Sequence, residues 1–218
     1  MCGIAGILSL QPENHIRPML RSIEHRGRDD EGEWISDPVD ALGRKVCFGH
    51  RRLSIIDTTP GGHEPMISHD GRYVLTFNGE IYNYRELRDE LVNLNHKFHT
   101  NSDAEVLLTA FAQWGRECLI RLNGMFAFAI WDKQERTLTL ARDHVGIKPL
   151  YYAHISNSAQ KPGAFLFASE IKAILASGLI SAELDPAALH EFLTFLWSPD
   201  PNTLFDGIKT VPPGHVIE

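Results

Sequence analysis

Apolar positions in this chain follow two periods, and the switches between them divide it into strands and helices. The first unbroken apolar run is Cys2-Gly3-Ile4-Ala5-Gly6-Ile7-Leu8. It has strand length and is apolar on both faces, the pattern of a strand sandwiched between layers. The same reading predicts strand pieces at 46–50 and 53–57 with a kink at Arg51-Arg52, and strands at 73–77, 125–131, 137–141, 150–155 and 164–168. Asp70-Gly71 is a hairpin signal. Helical spacing puts Tyr84, Leu87 and Leu91 on one face, and Leu107, Leu108, Phe111 and Trp114 on another. Ser102 and Glu105 read as a capping box for the second of these helices, and Gly115 ends it. Shorter helices are predicted over 18–24, 117–122, 170–175 (capped by Ser169) and 187–195. Polar, glycine- and proline-punctuated stretches at 25–32, 58–65 and 156–163 read as loops. Strands come in groups, as do helices, which predicts an α+β protein of stacked antiparallel sheets with helices outside, not a βαβ repeat.

Composition narrows the class of function. The chain has 218 residues, 43% hydrophobic and 22% charged, with a net charge of −7, as for one large globular domain or a domain with a short extension. No basic patch points to a nucleic acid. No apolar run approaches the ~20 residues of a membrane span, and no signal peptide is read at the start. Three widely spaced cysteines, Cys2, Cys47 and Cys118, argue against a disulfide framework and for a reducing, cytoplasmic setting. The eleven histidines are scattered and form no metal-binding spacing, so no metal is expected.

The chain start looks like core from its second residue, which is unusual for a terminus. Cysteine is small, so loss of Met1 would leave Cys2 with a thiol and an α-amine on one residue. An α-amine titrates near ~8 and can activate the adjacent nucleophile as a base. The plain alternative is a buried structural cysteine. Three further groups have chemistry and a plain alternative each. Arg51-Arg52 between apolar pieces is suited to a carboxylate clamp or to a structural salt bridge. Asn78-Gly79-Glu80 at a strand end offers an amide and a backbone N–H, the parts of an oxyanion hole, or is an ordinary turn. Asp103 follows Ser102 at a helix N-terminus, which would keep its carboxylate ionised, for a substrate ammonium or merely for the helix dipole.

Taken together these stretches resemble the glutaminase domain of class II glutamine amidotransferases, within that group the glutamine-hydrolysing asparagine synthetases. The matching motifs run in order through most of the chain: Met1-Cys2-Gly3-Ile4-Ala5-Gly6, His25-Arg26-Gly27, Arg52-Leu53-Ser54-Ile55-Ile56-Asp57, Phe77-Asn78-Gly79-Glu80-Ile81-Tyr82-Asn83, Ser102-Asp103-Ala104-Glu105, Asn123-Gly124-Met125-Phe126, Arg142-Asp143-His144-Val145-Gly146-Ile147-Lys148-Pro149-Leu150-Tyr151 and Ala168-Ser169-Glu170-Ile171-Lys172-Ala173. One departure is Arg28 where the family usually has proline, which loosens that loop and adds charge.

The resemblance implies a four-layer αββα sandwich of two antiparallel sheets, the Ntn-hydrolase fold. It implies L-glutamine as substrate, Cys2 as nucleophile, and Asn78 and Gly79 as oxyanion hole. It places Arg52 on the substrate carboxylate, Asp103 and Glu80 on its ammonium, and the backbone of Leu53, Ser54, Ile55 and Ile56 along the pocket. Cys47 and Cys118 are assigned to structure. Residues 1–185 would form the glutaminase domain and 186–218 the start of a connection to an absent synthetase domain. That domain would use ATP and Mg²⁺; no cofactor is expected in this one. A homodimer is left open. Two other readings stay open: an amidotransferase for another carboxylate (a sugar acid or a peptide), and an inactive glutamine-binding module if Met1 is retained.

Overall fold

The computed structural model describes residues 1–157 and 162–218. Of the expected loop 156–163, residues 158–161 therefore lie outside the described residues. Strands β1 (Gly3–Ser9), β2 (Asp30–Ile35), β3 (Lys45–Arg52), β8 (Tyr151–Ile155), β9 (Ala164–Ala168) and β10 (Ile208–Thr210) form one sheet, in the order β10-β8-β9-β1-β3-β2. Strands β4 (Met66–Ile67), β5 (Tyr73–Ile81), β6 (Gly124–Asp132), β7 (Thr137–Arg142) and β11 (Val216–Ile217) form the other, in the order β11-β7-β6-β5-β4. All these pairings are antiparallel.

Three apolar clusters make four layers of these elements. Helices α1 (Glu13–Ser22) and α4 (Ile171–Ala176) cover the first sheet, with Ile16, Met19, Leu20 and Ile174 on Ala5, Ile7 and Leu166. Helices α2 (Tyr84–Asn93) and α3 (Asp103–Trp114) cover the second, with Leu87, Leu91, Leu107 and Phe111 on Phe77, Phe126 and Phe128. Ile4, Phe48, Val74, Ala127, Ala129 and Phe167 fill the space between the sheets. Burying each large side chain there is worth about 1.5–3 kcal/mol. The expected αββα sandwich is the fold found. Gly6 on β1 is part of this fit: a Cβ there would stand 2.2 Å from the Phe167 ring.

Several local expectations are corrected. The first helix begins at Glu13, with Pro12 as its N-cap and Pro18 inside it. Proline removes one helical hydrogen bond, and the burial of Ile16, Met19 and Leu20 on β1 and β3 outweighs that loss. β3 runs without a kink through Arg51 and Arg52, because β1 and β2 pair with it on either side; residues 53–57 leave the sheet. Residues 30–32, expected as loop, are the start of β2. β5 continues through Asn78, Gly79 and Glu80 to Ile81, paired with β6, so Asn78-Gly79 is not a turn. Ser102 caps α3 through Ala104 N–H (3.1 Å). Glu105 does not close the box on Ser102; it reaches further back, to the N–H groups of His99 (2.9 Å) and Thr100 (2.8 Å). Ser169 does not cap α4, whose N-cap is Glu170; its hydroxyl accepts from Ile4 N–H at 3.0 Å. Beyond residue 185, α5 (Pro186–Phe195) is followed by β10 on the first sheet and β11 on the second.

Candidate active site

The N-terminal end of β1, the last residues of β3 and the far end of β5 converge on a cavity of about 320 Å³. Its lining includes Met1, Cys2, Arg52, Leu53, Ile55, Ile56, Glu64, Asn78, Gly79, Glu80, Asp103 and Lys148. All the expected site residues except Ser54 line this one space. Ser54 faces a neighbouring cleft with His63, and its N–H donates to Asp29 at 2.7 Å.

Cys2 sits one residue before β1, with its thiol half-buried. Its Sγ is 3.6 Å from the Leu53 carbonyl oxygen and 3.4 Å from the Leu53 nitrogen. Burial, and after it the charge of Glu64, pushes the thiol above its ordinary value, while the Leu53 contact and Arg52 pull the other way. The backbone beside the thiol is held by Arg26, whose Nε–H donates to the Cys2 carbonyl at 2.8 Å. Met1 precedes it, so the Cys2 nitrogen in this chain is a peptide amide. The Met1 sulfur lies 3.3 Å from Lys148 Nζ. Cys47 and Cys118 are buried elsewhere, their thiols each pushed up to about 12 by burial.

Successive strand residues face opposite ways, and this separates the two arginines. Arg51 bonds the Leu20 carbonyl and pairs with Glu31, the structural salt bridge. Arg52 turns inward. Its buried guanidinium donates to the carbonyls of Thr59 (2.9 Å) and Asp57, and among the described residues no carboxylate lies within ion-pair distance of it.

The edge of β5 is the other half of the site. Phe77 N–H donates to Glu64 Oε2 at 2.6 Å, and Ile81 N–H to Asp103 Oδ2 at 2.9 Å. Alternate residues send their N–H groups to the same edge. The N–H of Gly79, midway between, therefore leaves β5 on the cavity side. Its cross-strand partner Phe126 turns both its backbone groups away, to Asp143. Among the described residues no acceptor meets the Gly79 N–H. Beside it the Asn78 amide is fully buried, and neither its oxygen nor its nitrogen has a partner. Unpartnered buried polar groups are rare in folded proteins, because each forfeits its hydration.

Asp103 corrects one expectation. The helix N-terminus does not hold its carboxyl low: burial lifts it to about 6, against the lowering effect of the N–H groups of Ile81 and its own helix.

Two polar residues of the site were not singled out in the sequence. Glu64 lies in the expected loop 58–65 and is buried, its carboxyl raised well above the ordinary range by that burial. Lys148 is buried as well. Its loop is tied down by Asp143, which accepts the N–H groups of Ile147 (2.9 Å) and Lys148 (2.9 Å). No hydrophobic period marks either residue. His50 completes the surroundings: its Nε2 is 3.1 Å from the Phe77 carbonyl, and burial lowers it to about 4, so the ring is neutral. The cavity thus offers two cations, three carboxyls and unpaired donors beside a thiol.

A half-buried thiol at the head of a central strand, at one end of a two-sheet αββα sandwich, defines the class of N-terminal-nucleophile amidohydrolase folds. The glutamine amidotransferase domain model matches residues 1–218, and the chain belongs to that family. Two curated relatives, both from Bacillus subtilis (strain 168), are named asparagine synthetase [glutamine-hydrolyzing] 1 and 3. The first is 41% identical over 221 residues, 98% of this chain and 33% of the relative. The second is 39% identical over 225 residues, 100% of this chain and 34% of the relative. The chain spans about a third of the length of these relatives. Among solved structures, the glutamine phosphoribosylpyrophosphate amidotransferase from B. subtilis complexed with ADP and GMP superposes with a TM-score of 0.64 at 25% identity, over 81% of this chain and 44% of that one. Among the described residues no helix is long and apolar enough to cross a membrane.

Proposed function

We propose that this chain hydrolyses L-glutamine to glutamate and ammonia through a thioester on Cys2. The observation that carries the reading is the presence, in one cavity, of the Cys2 thiol and of donors without partners among the described residues, the Asn78 amide and the Gly79 N–H on the cavity edge of β5. Once Met1 is removed, the α-amine of Cys2 takes the thiol proton as sulfur attacks the side-chain amide carbon. The oxyanion that forms is met by Asn78 and Gly79, worth on the order of 10²–10³ in rate per donor. The amine returns the proton to the leaving nitrogen, ammonia departs, and water opens the thioester. Arg52 takes the substrate carboxylate, Asp103 and Glu80 its ammonium, and the backbone from Leu53 to Ile56 its flank.

In the full-length protein the ammonia would pass to a synthetase domain that activates aspartate with ATP and Mg²⁺ and yields asparagine. The glutaminase half is blind to the acceptor, so amidation of another carboxylate is the alternative. A cytoplasmic setting belongs to the same reading, since the thiol must stay reduced; a homodimer is checked by sedimentation.

Ammonia release from glutamine, measured on this chain after its N-terminal mass shows Met1 removed, tests the hydrolase reading. The Cys2→Ala variant serves as the blank and should fold normally without turnover. No release from the processed wild type, or turnover by Cys2→Ala, overturns the assignment. Supplying aspartate, ATP and Mg²⁺ to the full-length protein tests the acceptor.

A further inference from the structure

Glu64 is a group at this centre for which the proposed reaction has no role. It lines the same cavity as Cys2, Asn78 and Gly79 and is buried. Its Oε2 accepts the Phe77 N–H at 2.6 Å. Its Oε1 lies 3.8 Å from His50 Nε2, beyond hydrogen-bond reach. Phe77 precedes Asn78 and Gly79 on β5, so this one bond fixes the strand edge from which the unpaired donors project. Of the groups around Cys2, Glu64 is also the one whose charge most opposes the thiolate.

We propose that Glu64 is a positioning residue of this centre, one that holds the Phe77–Gly79 edge of β5 in place and whose negative charge, when present, works against formation of the Cys2 thiolate. The inference rests on the glutamine-hydrolysing reading for its purpose and for the kcat comparison, but not for the alkylation measurement. Every charged neighbour enters the balance. From the segment before β1 come Cys2 and the chain terminus. From β3 come neutral His50 and cationic Arg52, which favours the Glu64 carboxylate. From α3 comes Asp103, which disfavours it. From the loop after β7 comes Lys148, and beside Glu64 stands His63, bonded to Asp30 at 2.7 Å. Burial disfavours both charged forms. Where the Glu64 carboxyl is ionised, the thiolate forms against a buried negative charge. Such a site suits a nucleophile deprotonated by its own amine at the moment of attack, not one stored as thiolate.

The test is the pH dependence of Cys2 alkylation by iodoacetamide between about pH 6 and 10, followed by mass on the Cys2 peptide. Cys47 and Cys118 are too buried to compete. Glu64→Gln keeps an acceptor for Phe77 N–H and removes the charge. Its alkylation midpoint should fall by about one pH unit. The rate at pH 7 should then rise only about threefold, since a less basic thiolate is also less nucleophilic. Its kcat on glutamine should stay within about threefold of wild type. Glu64→Leu removes the acceptor as well, and its kcat should fall more than about tenfold even where it folds. Equal alkylation midpoints for Glu64→Gln and wild type overturn the charge role. Wild-type kcat in Glu64→Leu overturns the positioning role. A shifted midpoint without glutamine hydrolysis by the processed wild type supports the charge role and sinks the hydrolase reading alone.

Discussion

Arg26 donates its Nε–H to the carbonyl of Cys2 at 2.8 Å while its Nη1 rests on Glu170 at 2.9 Å. The arginine is thus a strut between the proposed nucleophile and the residue that caps α4. Glu170 also accepts from His25 at 2.8 Å, which gives the His25-Arg26-Gly27 stretch a physical purpose. Gly27 lets this loop lie on β3: a Cβ there would stand 2.4 Å from the Arg52 backbone carbon. Arg28, the departure from the family pattern, is exposed, and the Asp29 N–H that follows it still bonds the Arg52 carbonyl at 3.0 Å.

Arg26→Ala should therefore lower stability and activity together. It leaves the Cys2 carbonyl and the Glu170 carboxylate short of a donor, which costs about 1–3 kcal/mol. Displacement of the nucleophile by about 1 Å should lower kcat by about 10²-fold. Arg26→Lys keeps a charge on Glu170 but loses the fork, so its losses should be intermediate. Urea unfolding and ammonia release, run on the same samples, check both.

Asn78→Ala should separate the two properties. The amide has no partner to lose, so the folded state should keep its stability or gain up to about 1 kcal/mol. Turnover should fall about 10²–10³-fold. A drop in stability of more than about 2 kcal/mol in urea would show that the amide is structurally bonded.

Asp103 should make both stability and substrate binding depend on pH. Its carboxyl titrates at about 6 in the folded chain, raised chiefly by burial, against about 3.9 when unfolded. Between these values the folded state binds the extra proton, so stability falls as pH rises from about 4 to 6, by on the order of 2–3 kcal/mol, and levels off above. Asp103→Asn should flatten that slope in thermal or urea unfolding. The ionised form is the one that meets a substrate ammonium, so KM for glutamine should rise as pH drops below about 6. The Asn variant should show a high KM at every pH, with kcat much less affected.

Gly79→Ala should fail sterically. An added Cβ would stand 2.3 Å from the Met125 carbonyl oxygen and 2.6 Å from the Phe77 ring, and backbone cannot yield as a side chain can. A loss of about 1–3 kcal/mol is expected, together with lost turnover as the oxyanion edge shifts. Wild-type unfolding with lost turnover would separate the steric cause from the chemical one.

Much of this could be read from the residues. The apolar runs at 2–8 and 125–131 fall on β1 and β6, and the 3.6-residue stripes of α2 and α3 pack inward as their spacing predicts. Cys2, Arg52, Asn78, Gly79, Glu80 and Asp103 converge on one cavity. Where the pattern misled, it was through local signals that the sheet overrides. Asn78-Gly79 has turn chemistry but lies inside a nine-residue strand, because β6 pairs with it residue for residue. Pro18 lies inside a helix whose apolar face is buried on the first sheet.

The residue pattern alone sets which faces are apolar, hence the layering, and puts a small nucleophile at the head of an apolar strand. Side-chain periodicity carries that information because it depends only on the period of each element. The tertiary structure decided the rest: which of two adjacent arginines turns inward, which edge of β5 is left without a ladder, and how deeply Glu64, Asp103 and Lys148 are buried. Those outcomes depend on neighbours distant in sequence, since a hydrogen bond needs its partner in place and a carboxyl's charge answers to the dielectric around it. Among the described residues the Gly79 N–H meets no acceptor, because Phe126, 47 residues later in the chain, turns its own backbone groups toward Asp143.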